Sequence, residues 1–298
     1  MNSKTNKYYR TKRLFAVIMV VFWMPFMVLA QQANNALMER GVASGLDEAQ
    51  LERVLDRANE RGIEQGDLSR LLEPAFGLAE RDLPSDYILQ KLMEGFAKGV
   101  PPGRIMPLIN SIQENTPRAV SIASNWTEKP EVAIFIERSG EQGPQFRNEL
   151  VRANLKSLTQ QIEPEILESV LEGMGQRSVL DKTTPRSIIA AVGILPDLPA
   201  SARQADAARP LLARAVEGGF SASDLQKLPG AMNSAEKRSQ LPAASVVEGV
   251  AQQLGNGIPA SQVLQNLFNG NVNPGPPANI PGRPNNGPGR PPGTDGNN

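Results

Sequence analysis

Five times along this chain a glycine is followed by an apolar residue and then by Asp, Glu, Ser or Pro: GLD at Gly45, GIE at Gly62, GVP at Gly99, GFS at Gly219 and GIP at Gly257. Glycine enters the left-handed backbone region that ends a helix at no steric cost, and an apolar residue placed next can fold back onto the last turn. The third residue starts a new helix. Asp47 or Ser221 can accept hydrogen bonds from its free N–H groups, and Pro101 or Pro259 can occupy its first turn. Each triplet thus stops one helix and starts another within about three residues, a helical-hairpin connection. A cradle for phosphate at these glycines is a poor reading. Neither phosphate-binding glycine pattern is present, and Glu64, Asp67 and Asp224 would repel an anion.

The segments between the joints carry the matching periodicity. Leu51, Val54, Leu55 and Ala58 recur at i, i+3, i+4, i+7, as do Leu68, Leu71, Leu72 and Ala75. The same spacing returns in Ile105, Leu108, Ile109 and Ile112, and in Leu167, Val170, Leu171 and Met174. This is one face of an α-helix. The best strand candidate is the run EVAIFIE from Glu131 to Glu137, and Pro130 in front of it also permits a buried helix.

The joints belong to an internal repeat. With Gly62 aligned on Gly219, Leu55, Arg57, Ala58 and Glu60 meet Leu212, Arg214, Ala215 and Glu217, and Asp67, Leu68 and Leu71 meet Asp224, Leu225 and Leu228. After a one-residue slip, Leu83–Pro84 meets Leu241–Pro242 and Gly99 meets Gly257. Residues near 52–112 and 210–268 therefore read as two copies of one four-helix unit. A degenerate third copy lies between them, with QIEPEILESVLEGM from Gln161 in place of the first joint and TPRSIIAAVGIL from Thr184 in place of the Leu-Pro helix.

The ends differ from this pattern. Lys4, Lys7, Arg10, Lys12 and Arg13 precede an uncharged run from Leu14 to Ala30, with small Val28 and Ala30 ahead of Gln31. That order is a signal peptide with cleavage between Ala30 and Gln31, and the same run left uncleaved would be an anchor. The last thirty residues hold eight prolines and the tetrapeptide PGRP at both Pro281 and Pro288, with only Val272 and Ile280 as aliphatic side chains larger than Ala. Such a segment buries too little apolar surface to offset its conformational entropy and reads as a disordered, partly polyproline II tail.

Removing the leader leaves 26 basic against 31 acidic residues, and without a basic stripe the chain has no electrostatic basis for nucleic acid. It has no cysteine, so export is not exploited for disulfides, and no histidine, which removes the commonest general base and metal ligand. Chemistry would fall to carboxylates, hydroxyls, Lys or Arg. Ser234 and Lys237 fit S-x-x-K in a polar connector, without the companion motifs of a serine acylase. Glu165, Glu168 and Glu172 would share a helix face, and Asn125-Trp126-Thr127 matches a glycosylation acceptor.

The resulting expectation is an all-α fold of stacked helical-hairpin repeats, solenoid-like, with a cleaved leader and a disordered tail. Its organisation is a signal peptide over 1–30, a first repeat unit over 31–112 and a connecting segment over 113–150. A degenerate unit over 151–209, a second repeat unit over 210–268 and the tail over 269–298 complete it. No catalytic, cofactor-binding or metal-ligating residue is assigned. Trp126, the one tryptophan outside the leader, marks a contact surface, or else fills a gap between repeats. The functional expectation is an exported, periplasmic or extracellular scaffold that binds an envelope component or another protein, with no stable membrane span once the leader is cut. The alternative is a histidine-independent, carboxylate-based hydrolase of envelope or extracellular polymers.

Overall fold

The computed structural model describes residues 34–272; the expected leader, with its Ala30–Gln31 cleavage point, and the tail from 273 onward lie outside them. Among the described residues all regular structure is helical, without a strand. The chain divides between Gly175 and Gln176 into two units.

The first unit holds α1 (34–43), α2 (Glu48–Glu60), α3 (Gln65–Ala79), α4 (Asp86–Ala97), α5 (Pro102–Thr127), α6 (Pro130–Ser139), α7 (Gly143–Thr159) and α8 (Pro164–Met174). Here α2 packs on α4, α3 on α4 and α5, and the long α5 on α7 and α8. The second unit holds α9 (Arg177–Leu180), α10 (Pro185–Ile194), two 3-10 turns (Leu195–Asp197 and Ala200–Arg203), α11 (Ala205–Glu217), α12 (Ala222–Ser239), α13 (Ala243–Gly255) and α14 (Ala260–Asn269). In it α11 packs on α13, and α12 on α10, α13 and α14.

All five glycines of the joints are left-handed, with φ of 93° at Gly45, 65° at Gly62, 67° at Gly99, 79° at Gly219 and 72° at Gly257. The apolar residue after each donates its N–H back five positions. These bonds are Leu46 to Gly41 (2.9 Å), Ile63 to Ala58 (3.0 Å), Val100 to Gly95 (2.9 Å), Phe220 to Ala215 (3.0 Å) and Ile258 to Gln253 (3.1 Å). This is the Schellman closure, which satisfies carbonyls that the helix end leaves free. Three joints use a residue other than glycine: Asp82 (φ 54°), Gln161 (64°) and Gln240 (56°). Asp82 and Gln240 stand at matched positions of the two sequence copies, each directly before Leu-Pro.

The helix starts keep the same arithmetic. Gln65, Pro164 and Ala222 each begin a helix three residues after a left-handed joint at Gly62, Gln161 or Gly219. From each, the next long helix begins 21 residues on, at Asp86, Pro185 and Ala243.

The expected core positions are buried in α2, α3 and α8 without exception, each fully buried leucine contributing about 1.5–3 kcal/mol. In α5 the exception is Leu108, 40% exposed. Most buried residues of that helix, Ile105, Ile109, Ile112, Thr116, Ala119, Ala123 and Trp126, alternate steps of four and three; Ile122 and Thr127 are buried beside this seam, and Leu108 falls off it. The expected boundary between the first repeat unit and the connecting segment, between residues 112 and 113, falls inside α5.

Two local expectations are corrected, and one left open between strand and helix is decided for the helix. The strand candidate 131–137 is α6, with Pro130 at its first helical position, while Val132, Phe135 and Ile136 turn inward and Ile134 stays 63% exposed. Pro101 and Pro259 sit one residue before their helices as N-caps, because their extended backbone (φ, ψ of −60°, 145° and −57°, 144°) is that of a cap. Ser234 and Lys237 lie within α12 rather than in a connector. The first residues assigned to the tail also finish α14: Gly270 is left-handed (φ 77°), Asn271 donates to Asn266 at 2.8 Å, and Val272 is buried.

Candidate functional site

In the first unit a cleft of about 440 Å³ opens between α5 and α8. Its α8 wall is set by the joint at Gln161, whose left-handed backbone turns the chain so that Pro164 begins the helix. From there Glu165, Glu168 and Glu172 fall at i, i+3 and i+7, and all three are solvent-exposed. The facing wall uses the same geometry. Arg118, Ile122 and Asn125 on α5, then Lys129 just beyond its end, recur in steps of four, three and four.

Arg118 reaches across to both acids, with Nη2 at 3.4 Å from Glu165 Oε1 and 3.5 Å from Glu168 Oε1. The pairs are long and open to water, side chains being 49% exposed on Arg118 and 72% and 50% on the acids. Screening leaves such contacts worth about 0–1 kcal/mol, so they orient the rim more than they stabilise it.

Trp126 closes the floor. It is 3% exposed, and its indole N–H donates to the main-chain carbonyl of Leu171 at 2.6 Å. That carbonyl also accepts from the N–H of Gly175 at 2.8 Å. The indole ring lies 6.2 Å from Phe146 of α7, tilted by 37°, within the range where aromatic pairs attract. A Cβ on Gly175 would stand 3.0 Å from the indole nitrogen, so the glycine is what admits the ring. The tryptophan thus ties α5 to α7 and α8, and one edge of it lines the cleft.

The Asn-Trp-Thr triplet occupies the last turn of α5. Thr127 is buried, donating to the Ser124 carbonyl at 3.2 Å and accepting from Arg147 Nε at 3.3 Å, while Asn125 is exposed beside Ser121.

Chemically the cleft offers three carboxylates from one helix, opposed by Lys129, the Asn125 amide and Arg118. Among the described residues no three Asp or Glu side chains are placed to hold a metal ion. Ser234 is half-buried and Lys237 exposed on α12. Two sequence features singled out separately, Trp126 and the Glu165, Glu168, Glu172 face, meet in this one cleft. Arg118 and Lys129 escape sequence reasoning, although their four-three-four recurrence with Ile122 and Asn125 was the available signal. The Leu171 carbonyl has no signal, because every residue carries one.

Comparison of the chain with protein-family models, with curated proteins and with solved structures finds no match.

Proposed function

We propose that the chain is an exported helical-repeat protein that works by presenting surfaces to an envelope component or another protein, without catalysis. The observation that carries this reading is the threefold interval of 21 residues between helix starts, each set preceded by a left-handed joint. In both units helices pack on the second helix along, α2 on α4 and α3 on α5, α11 on α13 and α12 on α14. Stacking by alternate helices covers each apolar stripe with a neighbour and leaves grooves between repeats, the ordinary binding surfaces of such arrays. The leader implied by residues 1–30 supports export, and among the described residues no helix is long and apolar enough to cross a membrane.

The carboxylates of the α5–α8 cleft favour a second reading, hydrolysis of an envelope or extracellular polymer. General acid and base must flank the scissile bond, usually as carboxylates on opposed walls. Here all three acids stand on α8, and the lining opposite them supplies Lys129 and Asn125. A cleft of that composition suits binding better than bond cleavage.

The deciding experiment isolates the tagged chain from the envelope of its own host after cross-linking, beside a Glu165→Gln, Glu168→Gln, Glu172→Gln triple variant. The scaffold reading expects cross-links to a defined envelope partner and no release of soluble fragments from envelope polymers by either protein. Recovery of the chain alone, unassociated with the envelope, would sink the scaffold reading. Fragment release by the native chain and not by the triple variant would establish the hydrolase.

A further inference from the structure

A second concavity in the first unit carries the opposite charge. About 360 Å³ in volume, it lies on α4 between α2 and α7. On α2, Gln50 and Arg53 are three residues apart and share a face; on α4, Asp86, Gln90 and Met93 share another at i, i+4 and i+7, above buried Leu89. Arg152 enters from α7 and is ion-paired to Asp86 in the first turn of α4. Its guanidinium is tethered by that pair at the edge of the cleft.

Arg53 has no carboxylate partner among the described residues, as is also true of Lys98, Arg104 and Lys129, but of these it alone lines this concavity. Residues 34–175 hold 23 carboxylate side chains against 15 basic ones, and Arg40, Arg57, Arg70, Lys91, Arg118 and Arg152 all have carboxylate partners. The Arg53 guanidinium has neither an ion pair nor a hydrogen bond among the described residues. An unpaired guanidinium, a second one tethered by Asp86, and two carboxamides around an apolar floor form a cationic pocket on an acidic body. Planar N–H forks match carboxylates in geometry as well as charge, and a local reversal of field draws anions to it.

We propose that this cleft is a carboxylate-recognition site, taking an acidic side chain of a peptide, with Arg53 as the primary contact. Arg152 is a positioning residue for the second carboxylate oxygen, and Gln50 and Gln90 contribute amide donors along the groove. The site is separate from the α5–α8 cleft and does not depend on it.

The test uses the full chain, with acetyl-tetraglutamate as probe and acetyl-tetraglutamine as control, followed by calorimetry and by the arginine Nε–H resonances in nitrogen-15 spectra. The glutamate peptide is expected to bind saturably, to move the Arg53 resonance, and to weaken as salt is raised. Arg53→Gln, which removes no internal contact, is expected to weaken binding at least about tenfold with its melting curve unchanged, and Arg53→Lys to recover it only in part. Equal binding of both peptides, an Arg53 resonance that does not move, or undiminished affinity in Arg53→Gln would each overturn the proposal. Inorganic phosphate competing as well as free acetate and glutarate would overturn the carboxylate assignment, since it would reduce the site to a generic anion attractor.

Discussion

The indole nitrogen of Trp126 donates to the Leu171 carbonyl at 2.6 Å, joining the end of the longest helix to a carbonyl in the last turn of α8. A helix's final carbonyls lack intrahelical donors or share them, so a side-chain donor buried there is well placed. It also explains why the one tryptophan of the described residues stands where the α5 seam runs out.

Removing that donor while keeping most of the ring, by Trp126→Phe, is expected to cost about 1–3 kcal/mol in urea unfolding, and Trp126→Ala about 3–5 kcal/mol. Gly175→Ala should destabilise the native chain by crowding the indole, and should do so less in the Trp126→Phe background. A double-mutant cycle with no coupling would show that Gly175 does not serve the tryptophan.

The joints predict substitutions of opposite sign. Gly219→Ala places a Cβ at φ 79° and is expected to cost about 1–2 kcal/mol, whereas Gly230→Ala, exposed in the interior of α12 with open space around it, should stabilise by about 0.5–1 kcal/mol. Gln161→Gly, at φ 64°, should be neutral or stabilising, because glycine takes the left-handed conformation without strain. Thermal melts of the three variants check the order.

Ser221 and Asp224 form a reciprocal cap on α12. Ser221 Oγ accepts from the Asp224 N–H at 3.2 Å, and the Asp224 carboxylate accepts from the Ser221 hydroxyl at 2.7 Å and from its N–H at 3.3 Å. Ser221→Ala is expected to cost about 0.5–2 kcal/mol. The Ser221 hydroxyl bond, chiefly, holds the Asp224 carboxyl below its usual range. A carboxyl lowered on folding adds stability that is complete above its unfolded pKa of about 3.9 and is lost as pH falls through the lowered native value. Carbon-13 titration should show Asp224 as a low-titrating aspartate, and Ser221→Ala should return it toward the ordinary range.

Arg118→Gln should change the unfolding free energy measured in urea little, by under about 0.5 kcal/mol, because both of its carboxylate partners are exposed and screened. A loss beyond about 1 kcal/mol would mean that the pair holds the cleft walls together.

Local stereochemistry was legible in advance. Gly45, Gly62, Gly99, Gly219 and Gly257 announced their left-handed ends, because among common residues glycine alone enters that region without strain and the apolar residue behind it has only the last turn to cover. Asp82, Gln161 and Gln240 adopt the same backbone without the announcing residue; there the fold imposes the conformation on a side chain that resists it. EVAIFIE shows the converse, an apolar run too short for its period to separate strand from helix, decided by what α5 and α7 leave for it to pack on. Glu165, Glu168 and Glu172 were bound to share a face once α8 existed, since helical pitch is a property of the chain itself. That this face meets Arg118 and Lys129, that Trp126 finds the Leu171 carbonyl, and that Arg53 comes to lie beside Arg152 were decided by tertiary packing alone. Those pairs lie between 36 and 99 residues apart in the chain, and no backbone regularity relates positions at that distance until the helices between them have been laid against one another.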